Sequence, residues 1–265
     1  MNRRGQILLA LGICSLLTAG VAAAYSPALE VTHEYTDHGG TLVDVEYDEQ
    51  HDTVWSLDEN GTFIAYQVGN EEIGLKTEQF SVGHALAVGD NTVFIAEANT
   101  LWKFDVVAGN LSELATLEEH AGAMAYDPQR NIVWTTGLGT VYGYDAENGS
   151  EVRRYSPHSD GIETIAVDGD YVATGTTWDP DLAVYDVAAG EVVLRPEFTD
   201  VGGVTATQFT EDGDLIVGTR GDGADDLIAA YDVESGERLL AYRAHIFGVS
   251  HVAYEPTTET IISTG

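Results

Sequence analysis

Residues 120–158 read HAGAMAYDPQRNIVWTTGLGTVYGYDAENGSEVRRYSPH, and this stretch decides the fold. Between its terminal histidines lie four short apolar runs, each followed by a turn signal or by the next histidine. Residues 123–126 end at Asp127-Pro128, whose proline pre-sets φ for a turn. Residues 132–136 end at Gly137-Leu138-Gly139. Residues 141–144 end near Asn148-Gly149, a pair suited to positive φ. Residues 151–155 then lead into His158. Runs of four to six β-branched and aromatic residues between such turns predict antiparallel strands. Four in succession make one twisted sheet, which cannot bury both of its faces alone.

The same unit recurs along the chain. Tyr47, Val88, Tyr126, Val167, Phe209 and Tyr254 occupy matching first-strand positions, 38–45 residues apart. The third-strand pairs Tyr66-Gln67, Phe104-Asp105, Tyr144-Asp145, Tyr185-Asp186 and Tyr231-Asp232 recur in step. A four-stranded unit of this length is a propeller blade. Solenoids of similar period are mostly helical, and this chain lacks extended helical periodicity. The expected fold is therefore all-β: a β-propeller of five complete units and a partial sixth, spanning residues 30–265. The first unit should hold strands at 42–47, 53–57 and 63–68, with a weak fourth near 78–82. The first strands, with Ala85, Ala123, Ala166, Ala206 and Ala253, should form the narrow inner end of each wedge.

Residues 30–35 resemble a last strand, as comparison with EVRRY at 151–155 shows, and the sixth unit offers only two strands. The expectation is a ring closed by residues 30–35 completing the last blade, or an open or truncated array drawn from a seven-bladed ring. The edge at 260–264 would then recruit residues 31–35 or another chain.

Acidic residues number 44 against 11 basic ones, for a formal charge of −33. The acids are spread through every unit. Such a surface repels nucleic acids and anionic lipids, and it suits very high salt, where screening removes self-repulsion. Residues 1–24 carry Arg3-Arg4, an apolar run and Ala22-Ala23-Ala24, the pattern of an export signal; residues 7–24 could instead serve as a membrane tether. The repeats are expected outside the cell or on its surface. The single cysteine, Cys14, permits no intramolecular disulfide.

The units resemble degenerate WD-repeat blades and the related YVTN and PQQ-like propellers. His38, His120, His158 and His245 stand at the histidine position of WD repeats. Tyr144-Asp145, Tyr185-Asp186 and Tyr231-Asp232 stand at the Trp-Asp position. Residues 230–236, AYDVESG, resemble the core of the PQQ-type docking motif, with Leu240 near the place of its tryptophan. The resemblance implies architecture; it names no ligand and no cofactor.

Each candidate site has two readings. The histidines would either hydrogen-bond within their own blades or ligate a metal. Asp145, Asp186 and Asp232, like Asp105, would cap turns. Asp222, Asp225 and Asp226 form a loop that could hold calcium or simply be solvated. Trp55, Trp102 and Trp134 read as core, and Trp178 as an exposed contact. Asn60, Asn110 and Asn148 begin glycosylation sequons. The functional expectation is a non-catalytic scaffold or module for a protein or small ligand. Its rivals are a metal-dependent hydrolase or lactonase using Asp44 and Glu163, and a quinone-dependent dehydrogenase fragment.

Overall fold

The computed structural model describes residues 34–70, 72–178, 181–198, 201–221, 227–243, 245 and 248–265. All regular structure among them is β. The first blade holds β1 (Leu42–Asp48), β2 (Thr53–Asp58), β3 (Phe63–Gln67) and β4 (Glu72–Thr77). The second holds β5 (Gly83–Gly89), β6 (Thr92–Glu97), β7 (Thr100–Asp105) and β8 (Asn110–Thr116). The third holds β9 (Met124–Asp127), β10 (Ile132–Thr136), β11 (Val141–Asp145) and β12 (Glu151–Tyr155). The fourth holds β13 (Ile162–Asp168), β14 (Tyr171–Thr176), β15 (Leu182–Asp186) and β16 (Glu191–Leu194). The fifth holds β17 (Gly203–Phe209), β18 (Leu215–Arg220), β19 (Leu227–Tyr231) and β20 (Arg238–Arg243). The partial sixth holds β21 (His251–Glu255) and β22 (Thr260–Thr264). Each complete blade is an antiparallel meander in chain order. This is a β-propeller fold of five four-stranded blades and a two-stranded sixth sheet.

The chain divides into two compact units, Tyr35–Ile162 with the first three blades and Glu163–Gly265 with the rest. In the first unit β5 packs against both β1 and β9. The core between blades one and two is aromatic: Trp55 stacks on Phe63 at 5.2 Å, and Phe104 meets both edge-on. Blades two and three bury Phe94, Leu101, Val133 and Tyr142. In the second unit β17 packs against β14 and β21. Leu182, Val204, Leu215 and Val217 fill its main core.

The middle strands are buried along nearly their whole length, whereas β4, β8, β12 and β20 are mostly exposed. That difference explains the one misplaced strand. The fourth strand of the first blade is Glu72–Thr77, not residues 78–82. Phe80 suggested the later position, but it is a buried loop residue whose ring lies 6.2 Å from Phe63. The true strand carries only Ile73 and Leu75 as apolar residues, because an outer strand has little to bury.

Two devices recur between third and fourth strands. The register shifts immediately before Tyr66, Tyr144, Tyr185 and Tyr231, a bulge that increases local twist. The hairpin then turns through Asp-x-x-x-Gly, with the amides of Gly109, Gly149, Gly190 and Gly236 donating to the aspartate carbonyls at 2.8–2.9 Å. At Gly149, φ is +74° and a Cβ would lie 1.9 Å from the Leu114 carbonyl, so the hairpin of the third blade can press on β8 only with glycine there.

Residues 31–33, central to the expected closure, lie outside the described residues. Tyr35 packs its ring 4.0 Å from that of Tyr66.

Candidate functional site

The loop aspartates carried forward from the sequence make local bonds. The Asp145 carboxylate accepts the amides of Glu147 and Asn148, Asp186 those of Ala188 and Ala189, and Asp232 that of Ser235. Asp222, Asp225 and Asp226 lie outside the described residues. Asn60, Asn110 and Asn148 are all exposed. Trp178 is 78 % exposed, and the Arg220 guanidinium stands 5.4 Å from the centre of its ring.

The histidines do not behave alike. His38 Nε2 lies 2.7 Å from Ser56 Oγ, and its Nδ1 lies 3.2 Å from Asp58 Oδ2. The connectivity is that of a Ser-His-Asp triad, but Ser56 and Asp58 are sealed from solvent, so no substrate carbonyl can reach the hydroxyl. The same half-network recurs in the sixth sheet, where His245 Nε2 lies 2.8 Å from Ser263 Oγ. Asp58 also accepts the amides of Gly40, Asn60 and Thr62. Burial opposes its ionisation, yet the bonds from Thr62, His38 and Gly40 prevail and hold the carboxyl down at about 2.

His120 departs from this pattern. Its Nδ1 lies 3.4 Å from Nε2 of His84 in the neighbouring blade. The sequence held the signal: His38, His158 and His245 stand nine residues before their first-strand anchors, whereas His120 stands only six before Tyr126. In that blade Gly137 occupies the position of Asp58, and Glu119 reaches across to accept the Leu138 amide at 2.6 Å. For His158 the backbone amide donates to the Gly139 carbonyl.

The carboxylates of the enzymatic reading are placed differently from one another. Asp44 accepts the amides of Val45 and, from β5, Leu86 at 2.7 Å, so it ties two first strands together. Glu163 is exposed on β13. Among the described residues, no group of three or more His, Cys, Asp or Glu is placed to hold a metal ion.

A cavity of 520 Å³ opens at the C-terminal ends of β1, β5 and β9 in the first unit. Glu46, Tyr47, Asp48, Glu49 and Gln50 form one wall, Val88, Gly89 and Asp90 the next, and Tyr126 with Pro128 the third. These are equivalent positions in three successive blades: the first-strand anchors and the turns after them. Asp48 is buried, accepting from the His51 amide and lying 2.7 Å from its Nδ1. Asp127 serves the third blade likewise, accepting the amides of Gln129 and Arg130. Tyr47 donates to Asp52 and Tyr126 to Asn131. Gly89 leaves room for the Tyr126 ring, which a Cβ would approach to 2.9 Å.

Glu46, by contrast, accepts no hydrogen bond among the described residues. Its side chain is half-buried in the cavity wall. Desolvation there, with the Asp44 charge beside it, pushes its carboxyl up to about 8. Glu49 and Asp90 share the lining with it, and an ammonium or guanidinium group entering the cavity would favour the ionised form of Glu46 and pair with it. Sequence reasoning missed this site. The available signal was Asp44-x-Glu46, two acids on one face of a strand expected to be inner.

Residues 137–250, under half of the chain, match the family model described as outer membrane protein assembly factor BamB, a PQQ-like propeller repeat model. No curated protein matches. Among solved structures, the crystal structure of the computationally designed Ika8 protein is similar with a TM-score of 0.62 and 19 % identity, over 86 % of this chain and 84 % of that one. At that identity the likeness speaks to fold alone. Over residues 137–250 it is the PQQ-like side of the resemblance that the family model supports.

Proposed function

We propose that this chain, built of PQQ-like propeller blades, is an exported, non-catalytic binding module that works in high salt. Its partner is a protein presenting a lysine or arginine side chain to the cavity between the first three blades. The observation that carries the reading is the cavity itself: a 520 Å³ recess lined by Glu46, Glu49 and Asp90 with two tyrosines. A family model described by an assembly factor supports a protein partner over a small substrate. The bonded state of Asp44 and the burial of Ser56 favour a non-catalytic role. Residues 7–24 would direct export or tether the module, and β22, paired only with β21 among the described residues, offers an edge for self-association.

A photo-crosslinking residue at Gln50, on the exposed rim, tests the reading in source cells at native salt. Val107, 77 % exposed on the β7–β8 hairpin, is the control position. One partner captured from position 50 and not from 107 supports it; equal capture from both, or none from 50, overturns it. Unfolding followed against KCl tests the salt adaptation: stability should rise into the molar range.

A further inference from the structure

We infer that His84 and His120 form a binding site for a divalent transition metal of tetrahedral preference, zinc above all. The two imidazoles come from different blades, His84 from β5 and His120 from the segment before β9. Their facing nitrogens, His84 Nε2 and His120 Nδ1, lie 3.4 Å apart. Two nitrogens bound to one tetrahedral zinc at about 2.0–2.1 Å stand about 3.3–3.4 Å from each other. The ring geometry gives the same answer by a second route. An imidazole centroid lies about 1.1 Å behind its ligating nitrogen, so two such rings on one zinc have centroids about 5.2 Å apart. Here the centroids are 5.3 Å apart with the planes at 75°.

A neutral histidine pair sharing one hydrogen bond has no need of this bent approach. In a straight N–H···N bond of the same length, the centroids would be more than 5.5 Å apart by that offset. The site is reachable, since His120 is exposed and His84 half-buried. It is built on the stiff first strand of one blade and the entry to the next, so the two ligands are held in place before the ion arrives. Glu119, the neighbouring carboxylate, is already committed to the Leu138 amide. The ion therefore has two protein ligands and keeps water, or takes a partner's side chain, at its remaining positions. This is an open site on the first unit, separate from the acidic cavity: His84 is the second residue of β5, and the cavity lies at that strand's other end.

Zinc titration of the chelator-treated full chain, followed by calorimetry in its native salt, tests the site. One equivalent per chain is expected. His120→Ala, at an exposed position that leaves the fold intact, should weaken binding at least 10-fold, and His84→Ala likewise. His251→Ala should leave it unchanged. Cobalt as the probe should give the strong visible absorption of a tetrahedral ion in the parent chain and lose it in His120→Ala. Binding that survives His120→Ala unchanged would assign the zinc to the acidic surface and overturn the inference, as would absence of binding to the parent chain. Neither result bears on the cavity.

Discussion

Asp58 and Glu46 belong to the same blade, one buried and the other half-buried, yet they are treated in opposite ways. Asp58 sits where the chain enters the first blade, among four donors, and is held down at about 2. Glu46 sits where β1 leaves it, without a donor among the described residues, and is pushed up to about 8. A carboxylate saturated with amides is part of the framework. One kept unbonded at the cost of desolvation weakens the fold, and that weakness needs a reason outside folding. The comparison separates structural acids from the candidate functional ones in a chain with 44 of them.

Removing the bonded acid should have the largest effect. Asp58→Ala strips partners from His38 and from the amides of Gly40, Asn60 and Thr62. The expected loss is about 3 kcal/mol, measured by chemical unfolding. Glu46→Gln comes next and has the opposite sign. The parent carboxyl must take up a proton to fold at neutral pH, whereas the amide is neutral in both states, so the variant should gain about 1–2 kcal/mol, a figure kept low because cavity water still reaches the group. Glu119→Gln should have the smallest effect. It weakens one charge-assisted bond to the Leu138 amide, at about 0.5–1 kcal/mol. A loss as large as that of Asp58→Ala would show that the third blade depends on the Glu119 carboxylate as heavily as the first depends on its network.

The two acids should also divide by pH. The folded pKa of Asp58 is depressed, so its stabilisation is complete above the ordinary aspartate value near 3.8 and is lost as pH falls toward about 2. That of Glu46 is raised, so its penalty is absent below about 4.5 and grows as pH rises toward about 8. Stability profiles of Asp58→Asn and Glu46→Gln should therefore diverge from the parent chain at opposite ends of this range. Parallel profiles would erase the distinction.

Most of the fold was legible because the middle strands and their anchors repeat. Tyr144-Asp145, Tyr185-Asp186 and Tyr231-Asp232 each mark both a bulge and an Asp-x-x-x-Gly hairpin, so one motif marks two features. Residues 72–77 were less legible, since an exposed outer strand needs neither apolar content nor β-branching. The site was harder still. Glu46 looks like any other acid among 44, and only its half-buried place beside Asp44, with no donor among the described residues, distinguishes it. His84 is not spaced as a repeat histidine, and it gains meaning only when the packing of β5 beside β9 brings His120 to it.

The most direct test joins stability to binding in one variant. Glu46→Gln should unfold at higher denaturant than the parent chain at pH 7–8, while the partner captured from the crosslinker at Gln50 falls at least several-fold. Capture undiminished in a stabilised Glu46→Gln protein, or a Glu46→Gln protein less stable than its parent, would contradict the assignment of the unbonded acid to function.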